Sequence, residues 1–197
     1  MRLQKLLFIF ILTFSTLGLC YAHAGIEAVN DSYTVFSTPR NLQPFQLTTN
    51  KNTAFTEKNL QNHWTLLFFG FTHCPRICPV TLAKMEQVNK QLHAKNPSVQ
   101  YVLVTVDPDR DTTTVLDEYV NKFNSAFVGV TGKEKMLQQL EKQLGVVAQR
   151  VPEANGDYSM EHSTSILLVN PQGQWVGILP YSMSSKAIAQ AVEKAIG

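Results

Sequence analysis

The chain has 197 residues, a formal charge of +2, 44% hydrophobic and 16% charged residues. That is too apolar for a disordered chain. With no cluster of Lys and Arg it carries no electrostatic footprint for nucleic acid.

In chain order, the first readable element is an export signal. Arg2 and Lys5 precede an uncharged apolar run, Leu6 to Leu19, and Ala22-His23-Ala24 supplies the small-x-small pattern of a signal-peptidase site. Cleavage is expected after Ala24. The apolar run falls slightly short of the roughly 20 residues that a membrane span needs. An uncleaved anchor over residues 6–22 is the alternative. Cys20 follows Leu19, a poor residue before a lipidated cysteine, so lipoprotein processing is disfavoured. Removing residues 1–24 leaves 173 of the 197 and takes away two positive charges, which brings the formal charge to 0.

Residues 25–45, with Pro39, Pro44 and little periodicity, read as an extended lead-in, and residues 46–197 as one domain. Trp64–Phe69 is an apolar run of strand length, followed by Val80–Leu92, a helix with Leu82, Met85, Val88 and Leu92 on one side. Tyr101–Val106 is a second buried strand and Thr112–Phe123 a second helix. Phe127–Val130 reads as a short strand, and Lys133–Leu144 as a helix. Ser165–Val169 and Gln174–Ile178 are strands joined by the turn Asn170-Pro171-Gln172-Gly173. Ser184–Ile196 closes the chain as a helix capped by Ser184 or Ser185. Strands alternating with helices, then a hairpin and a final helix, predict an α/β fold. A central mixed β-sheet flanked by helices is expected.

The chemistry concentrates between the first of these strands and its helix, in Phe69-Gly70-Phe71-Thr72-His73-Cys74-Pro75-Arg76-Ile77-Cys78-Pro79. A proline follows each cysteine and disfavours helix at the residue before it. Proline is tolerated at the first helical position. The expectation is a loop over Cys74–Ile77 with Cys78 as N-cap and Pro79 opening the helix. Both sulfurs then sit at the positive end of a helix, where thiolates are favoured.

Three uses of such a dithiol stay open. A structural disulfide closing so short a loop adds only on the order of 2 kcal/mol, little for a domain with this much core. A thioredoxin-type redox pair usually has two residues between the cysteines, and here there are three. A metal site needs a further ligand, and the candidate is His162, in the polar segment Tyr158–Ser165 ahead of a late strand. Two thiolates and an imidazole form a soft set that suits copper, Cu(I) in particular, although zinc also takes Cys₂His with one position open. Asp107, Asp109 and Asp111 follow the second strand and are read either as outer-sphere acceptors or as an Asp-Pro turn with a helix cap. His73 should point away from Cys74. His63 and His93 read as surface residues, and Met160 as packing.

The order of elements, with the dithiol at the first strand-to-helix junction, resembles a thioredoxin-like fold. Three blocks together resemble the Sco/SenC family: Phe69–Pro79, Val104–Thr112 and Glu161–Ser165. The resemblance covers residues 41–197. It implies copper as the cargo, Cys74, Cys78 and His162 as its ligands, and the copper site of cytochrome c oxidase subunit II as the recipient. It also implies a membrane-proximal, exported, periplasmic location and a redox-active Cys74–Cys78 pair able to act on thiols. Arg76 stands where the family commonly has an acidic residue, and Glu161 where aspartate is more usual. Arg76 is expected to favour the thiolates and to alter the partner face.

Overall fold

The computed structural model describes residues 32–93, 99–154 and 156–197. The expected signal, residues 1–24, lies outside them, as does the start of the lead-in. Among the described residues no helix is long and apolar enough to cross a membrane.

The sheet is organised around β4 (Trp64–Gly70), whose residues from Thr65 onward are all buried. A run apolar on both faces belongs in the middle of a sheet covered by helices on each side. There β4 lies, paired in parallel with β5 (Val99–Thr105) and antiparallel with β9 (Ile166–Val169). Helix α1 (Ile77–His93) is the crossover from β4 to β5, and α2 (Thr113–Asn121) carries the chain to β6 (Val128–Thr131), again parallel. Helix α3 (Glu134–Gln143) leads away from the sheet. The chain returns through the antiparallel pair β9 and β10 (Gln174–Leu179) and ends in α4 (Ser185–Ile196), which packs on α1. The fold is α/β and thioredoxin-like, with a central mixed sheet and four helices.

Local chemistry accounts for the boundaries. Asn170 Oδ1 accepts from the backbone N–H of Gln172 and Gln174, and Gly173 takes φ +74°, so the β9–β10 turn forms as its composition predicts. Ser184 caps α4 by accepting from Ala187 N–H at 3.1 Å. Leu82, Met85, Val88 and Leu92 are all buried along α1.

Four features differ from the expectation. Within the lead-in, Thr34–Asn41 forms β1, an exposed edge strand paired with β10 and broken by a register shift between Val35 and Arg40. Pro39 suits an edge, where a missing donor costs no ladder bond. Two short strands, β2 (Leu47–Thr49) and β3 (Ala54–Phe55), extend the opposite edge beyond β6. The polar segment before β9 is half of a separate hairpin, β7 (Ala148–Pro152) with β8 (Tyr158–His162). Finally, α1 begins at Ile77, two residues before Pro79, with Val80 N–H donating to the Arg76 carbonyl at 3.2 Å. Pro79 still falls in the first turn. Its missing N–H is one of the donors a helix start leaves unpaired anyway, so the helix tolerates it.

Candidate functional site

The dithiol loop leaves the carboxyl end of β4, the usual place for function in open α/β sheets. Cys78 is the second residue of α1 and fully buried, whereas Cys74 is half-exposed; both thiols are free. The Cys78 backbone N–H, one of the unpaired donors at the helix start, donates to Cys74 Sγ at 3.4 Å. The sulfur thus serves as a cap for α1. Gly70 makes room for this arrangement: a Cβ there would come within 3.0 Å of Cys78 Sγ and 2.9 Å of the Phe68 ring.

His162, the last residue of β8, completes the group. Its Nε2 stands 3.7 Å from Cys78 Sγ, and its Nδ1 lies 2.9 Å from the Ser163 carbonyl oxygen. A carbonyl only accepts, so Nδ1 carries the proton and the Nε2 lone pair faces the sulfur. The rings of Phe68 and Phe71 meet the imidazole edge-to-face at 6.1 and 5.8 Å. Cys74 and His162 border an open cleft of about 300 Å³ together with Pro75, Arg76 and Met160, while Cys78 is buried and does not line it.

The two sulfurs are held unequally. Hydrogen bonds from the Cys78 thiol and from the Cys78 and Arg76 backbone N–H groups, with a further contribution from neighbouring His162, push the Cys74 thiol well below the ordinary range, against the opposing effect of partial burial. Cys78 moves the other way, because its proton is held by Cys74 and its burial disfavours charge. Cys74 is therefore the thiolate and Cys78 the thiol of the metal-free pair. Arg76 acts here through its backbone, while its side chain is exposed at the rim. Alkylation of the reduced protein at about pH 6 should accordingly modify Cys74, and its rate should stay nearly flat up to about pH 8, where an ordinary thiol gains close to tenfold per unit. Peptide mapping after iodoacetamide treatment measures this. A tenfold rise per unit at Cys74 would contradict the assignment.

The donors suit a soft metal ion. Two ligands at the usual ~2.0–2.3 Å from one ion stand about 3.6 Å apart, close to the separation of Cys78 Sγ and His162 Nε2. Among the described residues no three His, Cys, Asp or Glu side chains are already gathered at ligating geometry.

The remaining candidates fall outside this group. His73 is exposed, with Nδ1 3.1 Å from Thr72 Oγ1, and His93 is exposed on α1. His63 is half-buried and bonded to Asn59 and Gln100. Met160 is packed against the core, and Glu161 is exposed, accepting from Gln149. Thr112, not Asp111, caps α2. Asp111 is fully buried and braces the base of the dithiol loop, accepting from Thr72 N–H at 3.1 Å, Thr72 Oγ1 at 2.6 Å and Thr105 Oγ1 at 2.6 Å. Asp107, also fully buried, accepts from the Tyr158 hydroxyl at 2.8 Å and pairs with Arg110. Sequence reasoning missed Glu141, a mostly buried α3 carboxyl raised to about 6, chiefly by burial and further by Glu134, and lowered in part by His162. Its position within an amphipathic helix gave no signal of this.

A dithiol and an imidazole at the carboxyl end of the central strand of a thioredoxin-like sheet define a soft-metal or thiol-exchange site. Comparison with known proteins decides the family. The SCO1/SenC family model matches residues 34–197. A protein of Stutzerimonas stutzeri is 39% identical over 154 residues, covering 77% of this chain and 76% of that one. The human mitochondrial SCO2 homolog is 36% identical over 153 residues, covering 76% of this chain and 58% of the relative. Among solved structures, Arabidopsis thaliana ScoI with copper bound aligns at TM-score 0.75 and 32% identity, over 78% of this chain and 96% of that one. Yeast Sco1 with copper bound aligns at TM-score 0.73 and 31% identity, over 80% and 89% respectively. The chain belongs to the SCO1/SenC family. It spans 46% to 61% of the length of several mitochondrial relatives.

Proposed function

We propose that this protein binds copper through Cys74, Cys78 and His162 and hands it to a copper-accepting protein during assembly of cytochrome c oxidase, subunit II being the expected recipient. The observation that carries this reading is the Nε2 lone pair of His162 directed at Cys78 Sγ from 3.7 Å, beside the Cys74 sulfur. A reductase of disulfides has no need of an imidazole so placed. Two relatives of the same fold were solved with copper bound, which favours copper over zinc.

The chemistry follows from the donors. Cu(I) takes the two thiolates, Cu(II) the thiolates and the imidazole, and binding releases the Cys78 proton. An open cleft leaves the ion accessible to a partner's thiolates, so transfer proceeds by ligand exchange without a change of oxidation state. Residues 1–24 direct the chain out of the cytoplasm to the periplasm, and residues 6–22, if retained, hold it at the membrane. The test is transfer itself. Reduced, Cu(I)-loaded protein mixed with the copper-free soluble domain of subunit II should lose about one equivalent of metal to it, measured after separation. Retention of the metal would overturn the delivery step.

A second reading draws on the unequal sulfurs. The half-exposed Cys74 thiolate can attack a partner's disulfide, forming a mixed disulfide and releasing one partner thiolate. Cys78, once deprotonated, then attacks Cys74 Sγ, forming the Cys74–Cys78 disulfide and releasing the second. Two electrons pass to the partner, and both metal-binding thiolates are consumed.

A further inference from the structure

His162 sits on a hairpin that shares no ladder with the main sheet. Among the described residues strands β7 and β8 pair only with each other, and an isolated two-stranded hairpin has little stability of its own. Something must hold it against the dithiol loop. Around His162, Val147 N–H donates to Ser163 Oγ and Ser163 N–H to the Val147 carbonyl, but these bonds close the hairpin on itself.

Besides the ring contacts of His162 with Phe68 and Phe71, a polar tie to the rest of the molecule lies at the opposite end of β8. Two guanidinium groups lie over the Tyr158 ring, Arg110 Cζ 3.8 Å and Arg150 Cζ 4.0 Å from its centroid. The Tyr158 hydroxyl donates to buried Asp107, and Arg110 also donates to the Tyr158 carbonyl at 3.0 Å. Arg150, from β7, reaches Asp109 at 2.7 Å. These polar and cation–π anchors on the main body all belong to the turn Asp107–Asp111, beside the apolar contacts that His162 and Met160 make with the core. The same turn, through Asp111, holds Thr72 at the base of the dithiol loop. One five-residue turn thus grips both arms of the site.

We propose that Tyr158 is a positioning residue: bound by the guanidinium groups of Arg110 and Arg150 and by Asp107, it fixes the β7–β8 hairpin to the Asp107–Asp111 turn and so sets the distance from His162 to the two sulfurs. This rests on the copper reading above. Its consequence is selective. Cu(II) depends on the imidazole and should sense the clasp, whereas Cu(I), held by the thiolates, should not.

The test compares Tyr158→Ala, Tyr158→Phe, Arg150→Gln and His162→Ala with the parent protein. Tyr158→Ala should weaken Cu(II) binding by about tenfold, within the range seen for groups that orient a ligand. Cu(I) affinity should change by less than about threefold. The Cu(II) absorption and electron paramagnetic resonance spectra should move towards those of His162→Ala. In the metal-free protein, amide exchange should accelerate in β7 and β8 and stay unchanged in β4 and β5. Tyr158→Phe keeps the ring under both guanidinium groups and should retain most of the Cu(II) affinity. If Tyr158→Ala does not fold, Arg150→Gln decides, since that side chain is 46% exposed; it should shift the Cu(II) spectrum in the same direction by less. Parental Cu(II) affinity and spectra in the deciding variant would overturn the proposal, as would equal losses of Cu(I) and Cu(II). If His162→Ala itself leaves Cu(II) binding and spectra unchanged, the ligand assignment fails instead. Faster hairpin exchange in Tyr158→Ala would then still establish the clasp, and unchanged exchange would refute it.

Discussion

Replacing Cys74 by serine is expected to abolish the intense thiolate-to-copper charge-transfer absorption of the Cu(II) protein. Cu(I) affinity should fall by about a thousandfold, or about 4 kcal/mol. A serine hydroxyl does not ionise near neutral pH and is a hard donor, whereas Cu(I) selects soft thiolates. Cys74 is the better position for the test. Cys78 is fully buried among core residues, so a hydroxyl there adds about 1–3 kcal/mol of desolvation, and loss of copper becomes mixed with loss of stability. Cys74 is half-exposed and caps α1 through Cys78 N–H, a bond that serine oxygen can also accept. The Cys74→Ser protein should therefore stay folded and lose the metal. Thermal melting, Cu(I) competition titration and visible absorption measure the three quantities. Survival of the charge-transfer band in both Cys74→Ser and Cys78→Ser would show the copper to be bound elsewhere.

The second large effect belongs to His162→Ala, and it should differ between oxidation states. Cu(II) loses its only nitrogen donor of the three, so its affinity should fall by more than the about 10–100-fold typical of outer-sphere changes. Cu(I) keeps both thiolates and should lose far less. Thiol exchange should persist, because Cys74 remains at the N-terminus of α1 and still accepts from the Cys78 amide. The fold should tolerate the change. The ring sits half-buried in an open cleft against Phe68 and Phe71, outside the continuous core. Copper titration in each oxidation state, alongside the rate of reaction with a small disulfide, separates the two functions. Loss of exchange with copper binding intact would make the protein a thiol–disulfide oxidoreductase first.

Much of this was legible from residue order. The apolar run at β4, the periodicity of α1, the turn at Asn170–Gly173 and the Ser184 cap are local signals, each encoded within one turn or strand, and all appear where expected. The three candidate site residues stand out in the sequence as types: two thiols at a strand-to-helix junction and one histidine before a late strand. What sequence alone did not determine was how they meet. Cys78 and His162 are 84 residues apart, and the hairpin that carries the histidine has no strong apolar alternation, since its residues are half-buried or exposed. It is held by the contacts of Tyr158 with Arg110 and with buried Asp107 and by the Arg150–Asp109 pair, whose partners lie some 40 to 50 residues away. Asp111 likewise reads as a helix cap by position, yet it turns inward because Thr72 and Thr105 converge on it in space. β1, too, is extended by composition but becomes a strand only by pairing with β10. Local propensity acts over a few residues, so it sets elements and caps. The reach of a carboxylate or a guanidinium across the fold depends on which loops the completed sheet brings side by side, and only the tertiary structure decides that.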